Sequence, residues 1–388
     1  MDYGKGIQHA AVLDIVCKAK SKWIARRQDD LLALFERLTR LPPADRIYSR
    51  VARRLVGAFL YSIKLEVNAS CPLSCEMCYL EKRDLELPFA AIARFLNDIR
   101  GCNVRLEILG GEPLLREDLE QIICYAKKKA KVPFVSLYTN ALLAGRTRAV
   151  RLKEAGLDAA LVTLISHRAD VHDRFTGKNG SWRQTTENIV HLREAGIKTY
   201  TFTAIHRKNF RDYREIYFFA KEKLGVDPLF YQYIPQKRED KLTIDSGCWH
   251  KIKHWILLEK NREHAEFVRT FYMLTGNACS GGNFVLTIKA DGSVQPCPFL
   301  NDIPLGNILR QSIWVIYRRR FHSLRLREFK SLPPECSGCG YRSVCWGGCR
   351  AGNRMLFGGY AHRDFRCLGP YQGPVCKDRV IDCVPSFF

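Results

Sequence analysis

The sequence predicts an α/β protein built on a parallel sheet, open or curled into part of a barrel, followed by a cysteine-rich C-terminal segment. Two observations carry this. Residues 58–237 alternate short apolar strands with amphipathic helices, six strands to five helices. After about residue 237 the alternation stops, and residues 279–388 hold nine of the sixteen cysteines, with many Gly and Pro and little regular periodicity.

Taken in order, residues 1–57 read as helical. Leu31-Leu32-Ala33-Leu34-Phe35 and Ile47, Val51 and Leu55 carry apolar side chains at helical spacing, and Pro42-Pro43 divides the run. Lys18, Lys20, Lys22, Arg26 and Arg27 form a basic patch there. A solvated helix face is its simplest reading, and a dock for an acidic partner or a lipid headgroup is the sharper one. Strands are expected at Phe59–Val67, Val104–Leu109, Phe134–Tyr138, Ala159–Ile165, Lys198–Ala204 and Leu229–Ile234. Helices are expected at Ala90–Arg100, Arg116–Lys131, Arg146–Ala155, Gln184–Ala195 and Tyr213–Leu224. Gly156 and Gly196 stand where C-cap glycines belong. Residues 238–278 read as a charged helical connector. Phe284–Lys289 and Ser293–Cys297 flank Ala290-Asp291-Gly292 as a hairpin. The expected organisation is therefore 1–57, 58–237, 238–278 and 279–388.

The composition bounds the function. Hydrophobic residues make up 46% of the 388 residues and charged residues 26%, which excludes a largely disordered chain. The net charge of +22 points to acidic partners. No basic-then-apolar opening marks a secretory signal, and the run Thr270–Ile288 is too polar for a membrane span. The expected compartment is the cytoplasm, where thiols stay reduced and clustered cysteines mean metal or catalysis. A segment of 110 residues with few apolar runs needs staples other than a core, and metal supplies them.

The loop after the first strand reads Cys71-Pro72-Leu73-Ser74-Cys75-Glu76-Met77-Cys78-Tyr79. Three thiolates in eight residues can converge on one metal centre. A structural zinc site needs four protein ligands, and no His stands near to complete one. A [4Fe–4S] cube on three cysteines keeps one iron free for another ligand. The loop resembles the cluster motif of the radical S-adenosylmethionine (SAM) superfamily, including the aromatic residue after the third cysteine. The resemblance implies a partial (β/α)6 TIM-like barrel in which Cys71, Cys75 and Cys78 hold a SAM-binding [4Fe–4S] cluster. It also implies reductive cleavage of SAM to a 5′-deoxyadenosyl radical that abstracts a hydrogen atom from a substrate.

The second strand ends in Gly110-Gly111-Glu112-Pro113, where the glycines would let a ligand approach and an exposed carboxylate would accept from an ammonium. This is similar to the superfamily motif that meets the SAM amino group. Asn140 and Ser166, closing the third and fourth strands, resemble further SAM contacts. His167, His172-Asp173-Arg174 and Thr176-Gly177 follow and read as ordinary loop residues first. No catalytic residue beyond these is singled out.

Further on, Cys279 is followed after twelve residues by Gly292 and after four more by Cys297. Then come Cys336-x2-Cys339-x5-Cys345-x3-Cys349 and, seventeen residues later, Cys367. With Cys345-Trp346-Gly347-Gly348-Cys349-Arg350-Ala351, this segment resembles the SPASM domain that follows radical SAM barrels and houses two auxiliary [4Fe–4S] clusters. Carried over by position, Cys279, Cys297 and Cys349 would hold the first cluster, and Cys336, Cys339, Cys345 and Cys367 the second. The first lacks a fourth cysteine between Cys279 and Cys297, so it is either open on one iron or completed by a distant group such as Cys248. Pro298 stands where sulfatase-maturing relatives place a basic aspartate, which counts against that reaction. Cys17, Cys102, Cys124, Cys376 and Cys383 read as packing thiols.

The resemblance implies a peptide or protein substrate, a flavodoxin- or ferredoxin-type electron donor and, given no β-rich N-terminal module, a separate peptide-binding partner protein. The alternative substrate is a small molecule: a sugar, a tetrapyrrole or a lipid-linked intermediate. The basic helices leave peripheral membrane contact open. A zinc-dependent nucleic-acid-binding protein is the remote alternative. It leaves Gly110–Pro113 and the strand–helix alternation unexplained, and the sequence lacks Cys2His2 spacing.

Overall fold

Side-chain alternation decides the sheet. The computed structural model describes residues 60–102, 104–259, 279–340 and 342–369; the basic N-terminal helices, Cys17, Cys376, Cys383 and residues 260–278 of the connector lie outside the described residues. On β1 (Ser62–Glu66), β2 (Arg105–Leu109), β3 (Val135–Thr139) and β4 (Ala159–Thr163), one set of alternate residues enters a single apolar core. Ile63, Leu65, Leu106, Ile108, Val135, Leu137, Ala160 and Val162 all belong to it. The other set, including Ser62, Lys64, Glu66, Glu107 and Tyr138, faces the opposite side.

With β5 (Lys198–Ile205) and β6 (Asp227–Gln232), six strands pair in parallel in chain order. The sheet is strongly curved: the Tyr138 ring on β3 meets Phe202 on β5, centroids 5.3 Å apart, across the intervening β4. The polar set therefore lines a lumen, as a partial barrel requires. Helices α1 (Phe89–Asp98), α2 (Leu119–Cys124), α3 (Arg146–Ala155), α5 (Ser181–Glu194) and α6 (Tyr213–Phe218) follow the strands, with a short extra α4 (Ala169–Thr176). Two helices expected to be continuous end in single π turns, Tyr125–Lys129 and Phe219–Lys223. Gly156 caps α3 in the left-handed region (φ +100°), as expected.

The sheet does not end with the barrel. After α7 (Ser246–Glu259), β7 (Val285–Ile288) pairs in parallel with the free side of β1, Ser62 opposite Val285 through Leu65 opposite Ile288. The expected hairpin is present: β8 (Ser293–Gln295) runs antiparallel to β7, and β9 (Gly306–Asn307) follows. The order is β6-β5-β4-β3-β2-β1-β7-β8-β9.

One expectation is corrected. The cysteine-rich segment holds regular structure in α8 (Ile313–Arg319), α9 (Leu324–Lys330), α10 (Arg342–Cys345) and α11 (Arg350–Phe357). These helices are four to eight residues long, too short to print a periodicity. Helices α9 and α11 enclose a small core of Leu300, Ile303, Leu326, Phe329 and Tyr360, against which Cys279, Cys297 and Cys349 pack, while α8 sends Ile313, Ile316 and Tyr317 into the barrel core. Among the described residues, no helix is long and apolar enough to cross a membrane.

His172 on α4 is a core residue. It is 1% exposed and its Nδ1 accepts from the Ile165 N–H at 3.3 Å. Burial draws its pKa down to about 4, below the 6.5 of the free side chain. The native state thus favours the neutral ring. Its contribution, up to about 3 kcal/mol, is complete above pH 6.5 and lost as pH falls towards 4. Denaturant unfolding at several pH values should show this loss, and His172→Asn should flatten that part of the curve.

Candidate functional site

The Cys71–Cys78 loop leaves β1 at its carboxyl end and is clamped from two sides. On one side the Gly110–Pro113 turn lies directly on it. Gly111 N–H donates to Asn68 O (3.0 Å), Glu112 N–H to Ser70 O (2.7 Å) and Asn68 Nδ2 to Glu112 O (2.8 Å). A methyl group at Gly111 would run into the Ser70 carbonyl, so this close approach requires glycine. On the other side Ser74 and Glu76 N–H groups donate to Thr176 O (2.9 Å) and Phe175 O (3.1 Å) at the end of α4, and Lys208 pairs with Glu76 at 2.6 Å.

Glu112 is not the exposed carboxylate that the sequence led us to expect. It is 0% exposed and accepts from Leu114 N–H (3.0 Å), Thr139 Oγ1 (2.6 Å) and Asn140 N–H (2.7 Å). Burial raises its pKa and these donors oppose the rise. Its work is to tie the ends of β2 and β3 together beside the cysteine loop. Asn140 is thereby set with Nδ2 3.9 Å from Cys71 Sγ. Ser166 is fully buried, its Oγ accepting from Arg168 N–H at 3.1 Å. Arg174 is exposed, and Asp173 caps the next turn through Gly180, Ser181 and Trp182. His167 is half-buried; its Nδ1 and the buried Nε2 of His206 have no partner among the described residues.

The thiols fall into groups. The Cys75 thiol is pushed up to about 12 by burial and then by Cys71 and Cys78 beside it. Cys297 is raised by burial and then by Cys279 and Cys349. Cys336 is pushed up to about 11 by burial, with Cys367 and Cys339 adding to it. Thiols gathered this way in dry sites stay protonated unless a cation replaces their protons, which is the behaviour of a metal donor set. Among the described residues, no three His, Cys, Asp or Glu gather closely enough for a single metal ion. The gathered donors are sulfurs, the ligand type that iron–sulfur clusters take.

The Cys345–Cys349 loop explains its own sequence. Trp346, Gly347 and Gly348 all have positive φ (+50°, +82° and +67°), and a side chain at Gly348 would strike Asp364. Asp364 accepts from Cys349 N–H (2.7 Å) and is gripped by Arg366. Cys248 sits on the first turn of α7. There the Ser246 hydroxyl donates to Phe365 O (3.0 Å) and His250 Nε2 lies 2.9 Å from Arg366 O. Helix α7 thus meets the approach to Cys367. The thiols acting most on Cys297 are Cys279 and Cys349.

Residues 65–220 match the radical SAM superfamily profile, and residues 279–340 match that of the SPASM iron–sulfur cluster-binding domain. The chain is a radical SAM enzyme with a C-terminal SPASM domain. Its cofactors are [4Fe–4S] clusters and SAM. It is 26% identical over 324 residues to the AdoMet-dependent heme synthase of Nitratidesulfovibrio vulgaris, covering 74% of this chain and 87% of that protein. It is 25% identical over 331 residues to the PqqA peptide cyclase of Xanthomonas euvesicatoria pv. vesicatoria, covering 79% and 87%. The Streptococcus suis SuiB structure bound to precursor peptide SuiA superposes with a TM-score of 0.65 over 87% of this chain and 81% of that one; at 16% identity it shows the shared fold.

Sequence reasoning missed the lumen of the radical SAM barrel. Lys64 pairs with Glu107, which also accepts from Ser62 and from Tyr138 Oη (3.1 Å). Burial works against the Lys64 charge but Glu107 overrules it, and the ammonium is held above its ordinary range. The pair keeps 22% and 18% of its side-chain surface, so it is reachable. Phe202 stacks on Tyr231 at 4.3 Å, and Cys75 acts electrostatically on Tyr231. At the β1–β7 side Lys289 pairs with Glu66 (2.9 Å), donates to Pro298 O (2.6 Å) and lies over the Tyr79 ring, which itself meets Phe299 at 4.8 Å. Charged residues at alternate strand positions (Lys64 and Glu66, Arg105 and Glu107) were the available signal.

Two substitutions test the clamp. Glu112→Gln puts an NH2 group before main-chain donors and should cost about 1–3 kcal/mol while weakening SAM binding. Gly111→Ala should cost a similar amount through overpacking. Gly145→Ala, with open space around it, should be neutral. Thermal unfolding and SAM titration of the three variants provide the check.

Proposed function

We propose that Cys71, Cys75 and Cys78 hold the SAM-binding cluster. In this reading Cys279, Cys297 and Cys349 hold the first auxiliary cluster, and Cys336, Cys339, Cys345 and Cys367 the second. The grouping of thiols by mutual electrostatic influence supports this assignment for all but Cys345, which joins the second set by its place in the motif. Bound at the first site, the cluster and SAM supply one-electron cleavage of SAM and a radical that takes a hydrogen atom. The chain's own residues do the rest. The Gly110–Pro113 backbone and Asn140 border the place where SAM lies, and Glu112 positions them. The aromatic wall of Tyr138, Phe202 and Tyr231 shields the reacting atoms from water.

The substrate occupies the lumen between the Cys75 and Cys297 groups, and we assign it to the peptide or protein class. The observation carrying that reading is that both lysines of the lumen are already neutralised, Lys64 by Glu107 and Lys289 by Glu66. Such a lumen suits a chain segment without dense negative charge; a polycarboxylate needs free cations. The second reading, a tetrapyrrole, is favoured by the likeness to the heme synthase, which extends over 87% of that enzyme. An electron carrier of flavodoxin or ferredoxin type completes the system in either case.

Anaerobically reconstituted protein should carry about twelve irons per chain, and the Cys71/Cys75/Cys78→Ala triple variant should lose about a third of them. Stoichiometric zinc without iron–sulfur absorption would end this reading. With a strong reductant the protein should release 5′-deoxyadenosine slowly, and Cys75→Ala should not. A true substrate should accelerate the release. Acceleration by an iron coproporphyrin, and by no peptide encoded nearby, would decide for the tetrapyrrole.

A further inference from the structure

Arg350 opens α11 directly after Cys349 and is 1% exposed. A guanidinium cannot shed its charge when buried, so it requires a compensating anion. Its hydrogen bonds among the described residues all end on main-chain carbonyls: Ser331, Trp346 (2.6 Å), Tyr360 (3.1 Å) and His362 (3.5 Å). The neighbouring carboxylate, Asp364, is taken by two Arg366 contacts of 2.7–2.8 Å and by Cys349 N–H. Arg350 follows Cys349 of the first set directly, and the Trp346 carbonyl it binds follows Cys345 of the second; the Cys279, Cys345 and Cys336 side chains act on it electrostatically as well.

Lys330 stands differently. Its Nζ donates to Cys279 O at 2.9 Å, and the thiols acting on it are Cys279 and Cys297, both of the first set. Trp346 Nε1 donates to the Lys330 carbonyl at 2.7 Å while Trp346 O accepts from Arg350, so one indole residue spans the two cations.

We propose that Arg350 is the counter-cation shared by both auxiliary iron–sulfur sites, while Lys330 serves the first site alone. The inference rests on the ligand assignment above. A [4Fe–4S] cluster held by three or four thiolates is anionic and becomes more so on reduction. A fixed cation in a low-dielectric interior therefore favours the reduced form. No bond or proton moves. Arg350 acts as a positioning residue for charge, raising both potentials together and holding the Ser331 and Trp346 segments between the sites.

The test uses reconstituted full-length parent, Arg350→Gln, Arg350→Lys and Lys330→Met, with iron content measured first and each cluster followed by EPR during a redox titration. Arg350→Gln should lower the reduced-to-oxidised ratio of both auxiliary clusters at least tenfold at fixed poise, about 59 mV for one electron. Arg350→Lys should stay near the parent. Lys330→Met should lower the first cluster alone, and the SAM-binding cluster should not move in any variant. Full iron in Arg350→Gln with unmoved auxiliary potentials overturns the proposal, as does an equal shift of both clusters in Lys330→Met. If Arg350→Gln sheds iron, Arg350→Lys must restore both clusters, and its failure also overturns the proposal. A parent without auxiliary clusters removes the ligand assignment itself, an outcome visible before any variant is titrated.

Discussion

Everything at the mouth of this barrel depends on one buried carboxylate. Glu112 receives donors from Leu114, Thr139 and Asn140, so it fixes the carboxyl ends of β2 and β3 to each other. Its main chain is zipped to Asn68 and Ser70, at the entrance to the cysteine loop. A carboxylate without water must have its lone pairs met by the protein, and here the groups that meet them are those that border the ligand site. The arrangement moves Glu112 one step back from the chemistry. Its value lies in the position it gives Asn140 and the Gly110–Gly111 backbone.

Charge is managed in pairs through the barrel, whereas beyond it Asp364 and Arg366 pair but two other cations hydrogen-bond no carboxylate among the described residues. In the lumen each lysine has its acid. Around the auxiliary thiols Arg350 and Lys330 meet carbonyl oxygens only. In the proposed reading the contrast separates a cavity that receives a substrate from pockets whose anions arrive with the clusters. Between them Tyr79, next to Cys78, touches Phe299, two residues beyond Cys297, so the two thiol groups share a wall of aromatic rings and one ion pair.

Much of this was legible in the sequence because its causes are local. Strand alternation placed all six barrel strands to within a few residues, and the hairpin at Gly292 followed from turn chemistry. The three cysteine sets were expected from the resemblance of their motifs to those of radical SAM and SPASM proteins. What escaped depends on contacts distant in sequence. The inward face of Glu112 is set by Thr139 and Asn140, more than twenty-five residues away. The short α8, α9 and α11 are held by cores assembled from distant segments, and no helical period announces them. Arg350 reads as an ordinary basic residue after Cys349 until its burial is known.

The parallel pairing of β7 with β1 has a mechanical meaning. Four residues of backbone ladder join the SPASM segment to the first barrel strand, so the two cysteine-bearing regions share one continuous sheet. They cannot part like the halves of a clamshell without breaking that ladder. At the other end β6 is the last strand among the described residues, and just beyond it Ile234 enters the small core of the C-terminal segment. The C-terminal segment is thus fastened at both ends of the barrel sheet, and lifting it away would break the ladder at one end and expose apolar surface at the other.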